Sequence, residues 1–140
     1  MAIFGHMFHK NAVLRNPNGQ WYVSYEEYDK TYYPDMVQGP CYLLSSKAVK
    51  AILIEAKNHK HITVDDAFYT GIVAEAAEIT VIDANKNFGY RNPLDEGDQK
   101  CDENGRPFLF SIADKDGEIK NIPDGYNEQL KKLKALKCLK

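Results

Sequence analysis

The stretch HITVDDAFYTGIVAEAAEITVID, residues 61–83, contains the signals of three consecutive elements. Two adjacent carboxylates, Asp65 and Asp66, lie where an extended segment gives way to a predicted helix. Four apolar residues then follow at helical spacing: Phe68, Ile72, Val73 and Ala76. The β-branched run from Glu78 to Asp83 predicts a short strand. A carboxylate at such a junction is held on rigid elements and can face a cleft.

The acidic pair has two compatible interpretations. In the first, Asp65 is a helix N-cap and Asp66 is a first-turn acid, both favoured by the free N–H groups and positive end of the helix. In the second, one carboxylate caps the helix while the other stays ionised and acts as a general base. The residue pattern by itself leaves both interpretations open.

Further elements are predicted upstream of this stretch. Residues 21–24 indicate a strand, and residues 38–45 indicate a tight bend at Gly39 that leads into a second strand. Ser45 or Ser46 then caps a helix. Its predicted inner face consists of Ala48, Val49, Ile52, Leu53 and Ala56.

The downstream part of the chain has weaker signals. Residues 85–105 are rich in Asn, Asp, Gly and Pro and predict a long loop. Residues 108–113 indicate a strand, and Asn127–Leu139 an amphipathic helix. The three cysteines, Cys41, Cys101 and Cys138, leave two states open, one disulfide with a thiol or three thiols.

Composition excludes several classes of function. The chain has 140 residues, 44% hydrophobic and 27% charged, which is typical of a soluble domain with a real core. Its net charge of -2 gives no reason to expect a nucleic acid or an anionic membrane as partner. A run of about 18 apolar residues and a signal peptide are both lacking, so these patterns alone predict the cytosol. His6 and His9 have no third metal ligand in view.

Three separated blocks resemble one family in their order and spacing. They are WYVS at 21–24 with EY at 27–28, YYP at 32–34 with GPCYLLS at 39–45, and DDAF at 65–68 with Gly71. Together they resemble the C-terminal half of the β-1,3-galactosyltransferases (glycosyltransferase family 31), which include β-1,3-N-acetylglucosaminyltransferases. Arg15 matches the family's arginine shortly before the tryptophan. The resemblance covers residues 5–82.

The resemblance implies an α/β fold. Its expected form is the C-terminal half of a GT-A type glycosyltransferase fold, with a mixed sheet flanked by helices. Residues 1–84 would be the acceptor-side half of the catalytic domain. Residues 85–140 would be a loop-rich C-terminal extension of the same domain, ending in a helix.

The resemblance also implies a reaction. The family transfers galactose or N-acetylglucosamine from a UDP-sugar to an acceptor hydroxyl of a protein or lipid glycan, with inversion. Asp66 matches the carboxylate that deprotonates the acceptor hydroxyl. A second group, Asp65, Trp21, Gly39 and Tyr42, matches positions that bind substrate or shape the cleft. Such a protein is expected on the lumenal side of the Golgi membrane, attached only through an N-terminal anchor that this sequence lacks.

Departures from the family pattern keep a second hypothesis open. The Asp-x-Asp motif, which binds Mn²⁺ and UDP in the family, does not precede these blocks, so Mn²⁺ is expected only for the full-length protein. One extra residue separates Asp66 from Gly71, and Ala67 replaces the usual valine. We expect a hexosyltransferase fragment, inactive alone if the donor site is missing. The alternative is a truncated, non-catalytic paralogue that binds glycans or a partner.

Overall fold

The computed structural model describes residues 1–91, 101, 103–106, 109–112 and 124–138. The chain divides into two units, Met1–Ala84 and Asn85–Lys140, and each is described by itself. The functional roles predicted for these two parts stay predictions.

A mixed three-stranded sheet lies at the centre of the first unit. Strand β1 (Ala2–Phe8) is the middle strand, antiparallel to β2 (Met36–Leu44) and parallel to β3 (Thr80–Asp83). The helical elements of this unit are α1 (Ser46–Glu55), a 3₁₀ turn (Ala56–Asn58), a π-helical turn (Ala67–Ile72) and α2 (Val73–Ala76). The α/β class is therefore confirmed for this unit.

The sheet has one covered face and one open face. Ile3 on β1 is fully buried with the helical elements, and Phe68 is the largest of the fully buried side chains among the described residues. On the opposite face Phe4 pairs in register with Leu43 of β2 and Ile82 of β3, and all three side chains are exposed. Apolar burial on the covered face supplies the main driving force for folding of this unit.

Helix α1 begins where its cap was predicted. The Ser45 hydroxyl accepts a hydrogen bond from the Ala48 amide at 3.3 Å, which satisfies one free N–H of the first turn. The predicted inner face is only partly correct. Ala48 and Ile52 are buried, but Val49 and Leu53 are exposed. An apolar pattern that is wide enough for two helix faces does not tell which of them meets the core.

The helix after the acidic pair contains the π-helical turn. The Val73 amide bonds to the Phe68 carbonyl, five residues back, so this turn holds one residue more than an α-helical turn. The extra residue changes which side chains face inward beyond it. Val73 is buried as predicted, but its buried neighbour is Ala74, whereas Ile72 is half-buried and Ala76 exposed.

Two other sequence predictions are wrong, at least in part. Residues 21–24 are not a strand; among their backbone bonds, the Tyr22 amide bonds to the Gly19 carbonyl and the Val23 amide to the Leu14 carbonyl. Residues 85–105 are not one continuous loop, because they include a 3₁₀ turn (Asn85–Asn87) and strand β4 (Phe88–Arg91). The rest of that predicted loop lies outside the described residues, except for 101 and 103–105.

The second unit has a small sheet, a helix and a disulfide. Strand β4 pairs in parallel with β5 (Leu109–Ile112), which confirms the predicted strand within the described residues. Helix α3 (Gly125–Lys134) begins and ends earlier than predicted. Cys101 and Cys138 form a disulfide, and Cys41 in the first unit is a half-buried thiol. Of the two cysteine states left open, the structure has the one with a single disulfide.

A carboxylate holds together the turn before β2. The Ser24 amide and hydroxyl both donate hydrogen bonds to Glu27 Oε2, and the Thr63 hydroxyl donates to Glu27 Oε1. These bonds favour the ionised carboxylate, so they lower the pKa of Glu27 from 4.5 to about 2, the Ser24 backbone bond contributing most. The turn is thereby tied to the segment that leads into the acidic pair.

A pH-dependent contribution to stability follows from this pKa. Because the pKa of Glu27 is lower in the folded protein, its contribution is fully present above pH 4.5 and is lost as the pH falls towards 2. We expect Glu27→Gln to lower the urea midpoint at pH 7 and the deficit to shrink between pH 4.5 and 2. Glu26→Gln is the control, since the hydrogen bond described for Glu26 is accepted from Lys60 by its backbone carbonyl, which the substitution does not change. A deficit that stays constant across this range would contradict the assignment.

Candidate active site

A wide bulge in β2 shapes the candidate site. Gly5 pairs with Tyr42 and Met7 pairs with Val37, so residues 38–41 lie opposite His6 alone. Bulges release strand residues from regular pairing and redirect them, and they are common beside active sites. The tight bend predicted at Gly39 is therefore a bulge within a continuous strand.

The bulge brings Gly39 to the carboxylate of Asp66. The Gly39 amide donates to Asp66 Oδ2 at 3.0 Å, and the Ala67 amide donates to Oδ1, also at 3.0 Å. A Cβ atom at residue 39 would lie 3.2 Å from Oδ2, so a residue larger than glycine would press on this carboxylate. Each oxygen accepts one hydrogen bond in the structure and has a second lone pair. Asp66 is half-buried.

The two acidic residues have different surroundings. Asp65 is exposed, and its Oδ1 accepts a hydrogen bond from the Asp66 amide at 3.0 Å. Asp66 is the residue whose side chain caps the π-helical turn, through Ala67. The first interpretation of the pair therefore needs correction for Asp65, because the side chain that caps this turn is that of Asp66, whose own backbone angles are helical (φ -64°, ψ -42°).

Tyr42 lies close enough to Asp65 and Asp66 for electrostatic interaction with both carboxylates. Burial raises the pKa of its hydroxyl, and the charges of Asp65 and Asp66 raise it further. The side chain thus stays protonated at neutral pH and can donate a hydrogen bond to a polar ligand. Tyr69 also lies near Tyr42. It is half-buried and contacts the ring of His61 edge to face, with ring centroids 6.1 Å apart.

Trp21 is not brought into this group by any described contact. It is 52% exposed in the loop that follows the Asn16–Gly19 turn. Arg15, the other residue of that block, holds the loop from within. Its guanidinium donates to the carbonyls of Val23, Tyr28 and Lys30 at 2.7–2.8 Å and lies 4.0 Å from the ring centre of Tyr25. Arg15 therefore has a structural role in this loop.

A buried threonine escaped the sequence analysis. The Thr70 hydroxyl accepts a bond from the Val37 amide and donates to the Asp66 carbonyl. Its only signal was a polar residue within an otherwise apolar helical stretch, which is equally typical of an exposed position.

The first unit also has a cavity of about 410 Å³ elsewhere. It is lined by His9, Lys10, Tyr33, Pro34, Asp35, Glu75, Ile79 and Val81. Its lining does not include Asp66, Gly39 or Tyr42, so these three residues are not part of this cavity.

A metal ion would need several ligating side chains close together. In the part of the chain that the structure describes, no group of three His, Cys, Asp or Glu side chains is placed to hold a metal ion. Manganese, which the resemblance implies for the full-length protein, stays an expectation. No described helix is long and apolar enough to cross a membrane.

The known proteins that this chain resembles are all galactosyltransferases by name. A family model described as galactosyltransferase matches residues 1–85. The β-1,3-galactosyltransferase brn of Drosophila melanogaster is 34% identical over 93 residues, 66% of this chain. The β-1,3-galactosyltransferases bre-2 of Caenorhabditis elegans and GALT1 of Arabidopsis thaliana are each 32% identical, over 77 and 66 residues, or 52% and 46% of this chain.

The chain spans a minor part of each of these relatives. The matched region is 28% of the Drosophila protein, 21% of the Caenorhabditis protein and 10% of the Arabidopsis protein. The similarity includes the region that contains the bulge and the acidic pair, since the family model extends through residue 85.

Proposed function

Because the chain belongs to the galactosyltransferase family, we propose that its first unit is the acceptor-side half of a β-1,3-galactosyltransferase with a GT-A type fold. The substrates proposed are UDP-galactose and a glycan hydroxyl, and the product is a β-1,3-linked galactose. All three relatives carry β-1,3-galactosyltransferase in their names, which favours galactose over N-acetylglucosamine.

The proposed step is a single displacement. The acceptor hydroxyl gives its proton to a carboxylate oxygen of Asp66 while its own oxygen forms a bond to the anomeric carbon of galactose. The bond from that carbon to the diphosphate breaks, and UDP leaves with the bonding electron pair. A hydroxyl is a weak nucleophile, so removal of its proton in the transition state lowers the barrier.

One observation carries this assignment, the fixed geometry of the Asp66 carboxylate. Backbone amides from two different elements, Gly39 and Ala67, hold its two oxygens, yet the side chain remains half-exposed. A general base needs a defined position and access to the proton it removes. The exposed Asp65 has the access, but its carboxylate is less firmly positioned. The hydrogen bond described for it comes from the amide of the adjacent Asp66, not from a second element.

The groups around Asp66 suit an acceptor sugar. Tyr42 offers a hydroxyl donor beside the carboxylates, and an aromatic side chain can also lie against the apolar face of a sugar ring. We assign acceptor binding to Tyr42 and Asp65, and keep Trp21 as a proposal for a more distant part of the acceptor. Manganese stays an expectation for the complete enzyme, and the proposed step does not depend on any residue of this chain binding it.

The proposed location is the lumen of the Golgi. The Cys101–Cys138 disulfide supports it, because disulfides form and persist in oxidising compartments and are rare in the cytosol. The cytosol predicted from the lack of a targeting signal does not account for this bond.

A graft tests the proposed function. Residues 1–85 replace the segment that they match in the Drosophila β-1,3-galactosyltransferase, and the purified graft is incubated with UDP-galactose and an acceptor of the unmodified enzyme. We expect a galactosylated product, detected by mass spectrometry, at a rate measurable above the same graft without acceptor. Circular dichroism confirms that the graft is folded.

The opposite result selects the second hypothesis. A folded graft that binds the acceptor, as measured by calorimetry, but forms no product would identify the chain as a non-catalytic glycan-binding module.

A further inference from the structure

Thr70 lies at the contact between the β2 bulge and the helix that follows the acidic pair. Its side chain is completely buried within the π-helical turn. The hydroxyl oxygen is 3.1 Å from the Val37 amide, which donates to it, and 2.6 Å from the Asp66 carbonyl. The Val37 carbonyl lies farther away, at 3.3 Å. Because a hydroxyl has one proton, the shorter contact to Asp66 takes it.

These bonds connect the two segments of the site at a second point. Val37 is the last paired residue before the bulge, and Gly39 lies within the bulge. Thr70 ties the Val37 backbone to the Asp66 backbone, while the Gly39 amide ties to the Asp66 side chain. Two parallel links therefore fix the distance between the bulge and the start of the helix.

We propose that Thr70 is a positioning residue, which holds the Asp66 carboxylate against the Gly39 amide. Thr70 lies four positions after Asp66 in the π-helical turn, and its hydroxyl reaches both the Asp66 carbonyl and the Val37 amide of β2. What the positioned carboxylate does in catalysis rests on the proposed function, whereas the positioning itself does not.

Replacement of the hydroxyl has a specific consequence. Valine has nearly the shape of threonine but cannot accept a hydrogen bond from the Val37 amide. That amide would then be buried without a partner. The least costly relief is a small separation of the helix start from β2, which lets water reach Val37. That separation lengthens the bond between Gly39 and Asp66, although residue 70 contacts neither the Gly39 amide nor the carboxylate.

Amide hydrogen exchange of the chain itself, followed by NMR, measures this effect. The Gly39 residue is exposed, so protection of its amide depends on the bond to Asp66. The Ala84 amide, bonded to the Gly5 carbonyl at 2.8 Å, is the internal reference for the stability of the whole unit. We expect Thr70→Val to reduce protection of Gly39 about tenfold more than that of Ala84, the loss of roughly one hydrogen bond. Thr70→Ser, which keeps the hydroxyl, should restore the wild-type ratio.

Two outcomes would overturn the proposal. The first is an equal loss of protection at Gly39 and Ala84 in Thr70→Val, which means that Thr70 only stabilises the unit. The second is a Gly39-to-Ala84 protection ratio in Thr70→Ser that is about tenfold below the wild-type ratio, and this arm decides the matter alone if the valine variant does not fold. Transfer activity does not enter these measurements, so an inactive graft with the expected exchange ratios would refute the function and leave the positioning intact.

Discussion

Asp66→Asn in the graft should lower kcat for galactose transfer by about 10²–10⁴-fold, with donor binding nearly unchanged, because an amide cannot take the proton of the acceptor hydroxyl. The substitution also disturbs the local bonds. Its single carbonyl oxygen can accept from Gly39 or from Ala67, and its NH₂ group then faces the other amide donor. Steady-state kinetics at saturating UDP-galactose measure kcat, and calorimetry with UDP measures donor binding.

Asp65→Asn is the matched control. The asparagine oxygen can still accept the bond from the Asp66 amide, so we expect kcat to fall much less than in Asp66→Asn. The order of the two variants decides the assignment. An inactive Asp65→Asn with an active Asp66→Asn would shift the base by one residue. Two active variants would leave the acidic pair with structural roles alone.

Phe68→Ala should have the largest effect on stability, a loss of about 3–5 kcal/mol in the free energy of unfolding. The Phe68 ring is 2% exposed and packs against His61 and Tyr69, with centroids 4.7 and 4.9 Å apart. A domain has about 5–15 kcal/mol of stability in total, so this loss removes a large part of it. Urea denaturation followed by far-UV circular dichroism measures the change.

Phe4→Ala provides the comparison within the same unit. Phe4 is 37% exposed on the open face of the sheet, so its truncation leaves no enclosed cavity and should cost clearly less. If both variants lost the same free energy, the burial of Phe68 would not be the source of the effect.

The parts of the fold that were predictable are those with a local physical cause. The Ser45 cap depends on one hydroxyl and one amide three residues later, and β3 depends on a β-branched run. The exposure of Val49 and Leu53 was not predictable in this way. Which face of α1 meets the core is decided by distant elements, and its apolar residues extend around both faces.

The site, like the fold, has parts that were predictable from the sequence and parts that were not. The resemblance placed Gly39 and Asp66 in one site, and the structure brings them within hydrogen-bonding distance. It could not indicate that the contact is made by the Gly39 amide, because a backbone group has no sequence signal. Thr70 was missed for a related reason, since its partners are backbone atoms of Val37 and Asp66. The roles assigned to Asp65, Asp66, Trp21, Gly39 and Tyr42 stay predictions for the experiments above.

The π-helical turn also bears on how such motifs are recognised. An inserted residue in a regular helix would rotate everything beyond it by about 100° and separate the carboxylate from the glycine that follows it. Here Asp66 remains at Gly39, and Gly71 packs closely on β2, where an added Cβ would lie 3.3 Å from Met36 Cβ. Asp66 and Gly71 thus both contact β2 across the π-helical turn, where the motif of the resemblance has one residue fewer. A search pattern with a rigid spacing between carboxylate and glycine would pass over chains of this kind, whereas a pattern with a one-residue gap would retain them.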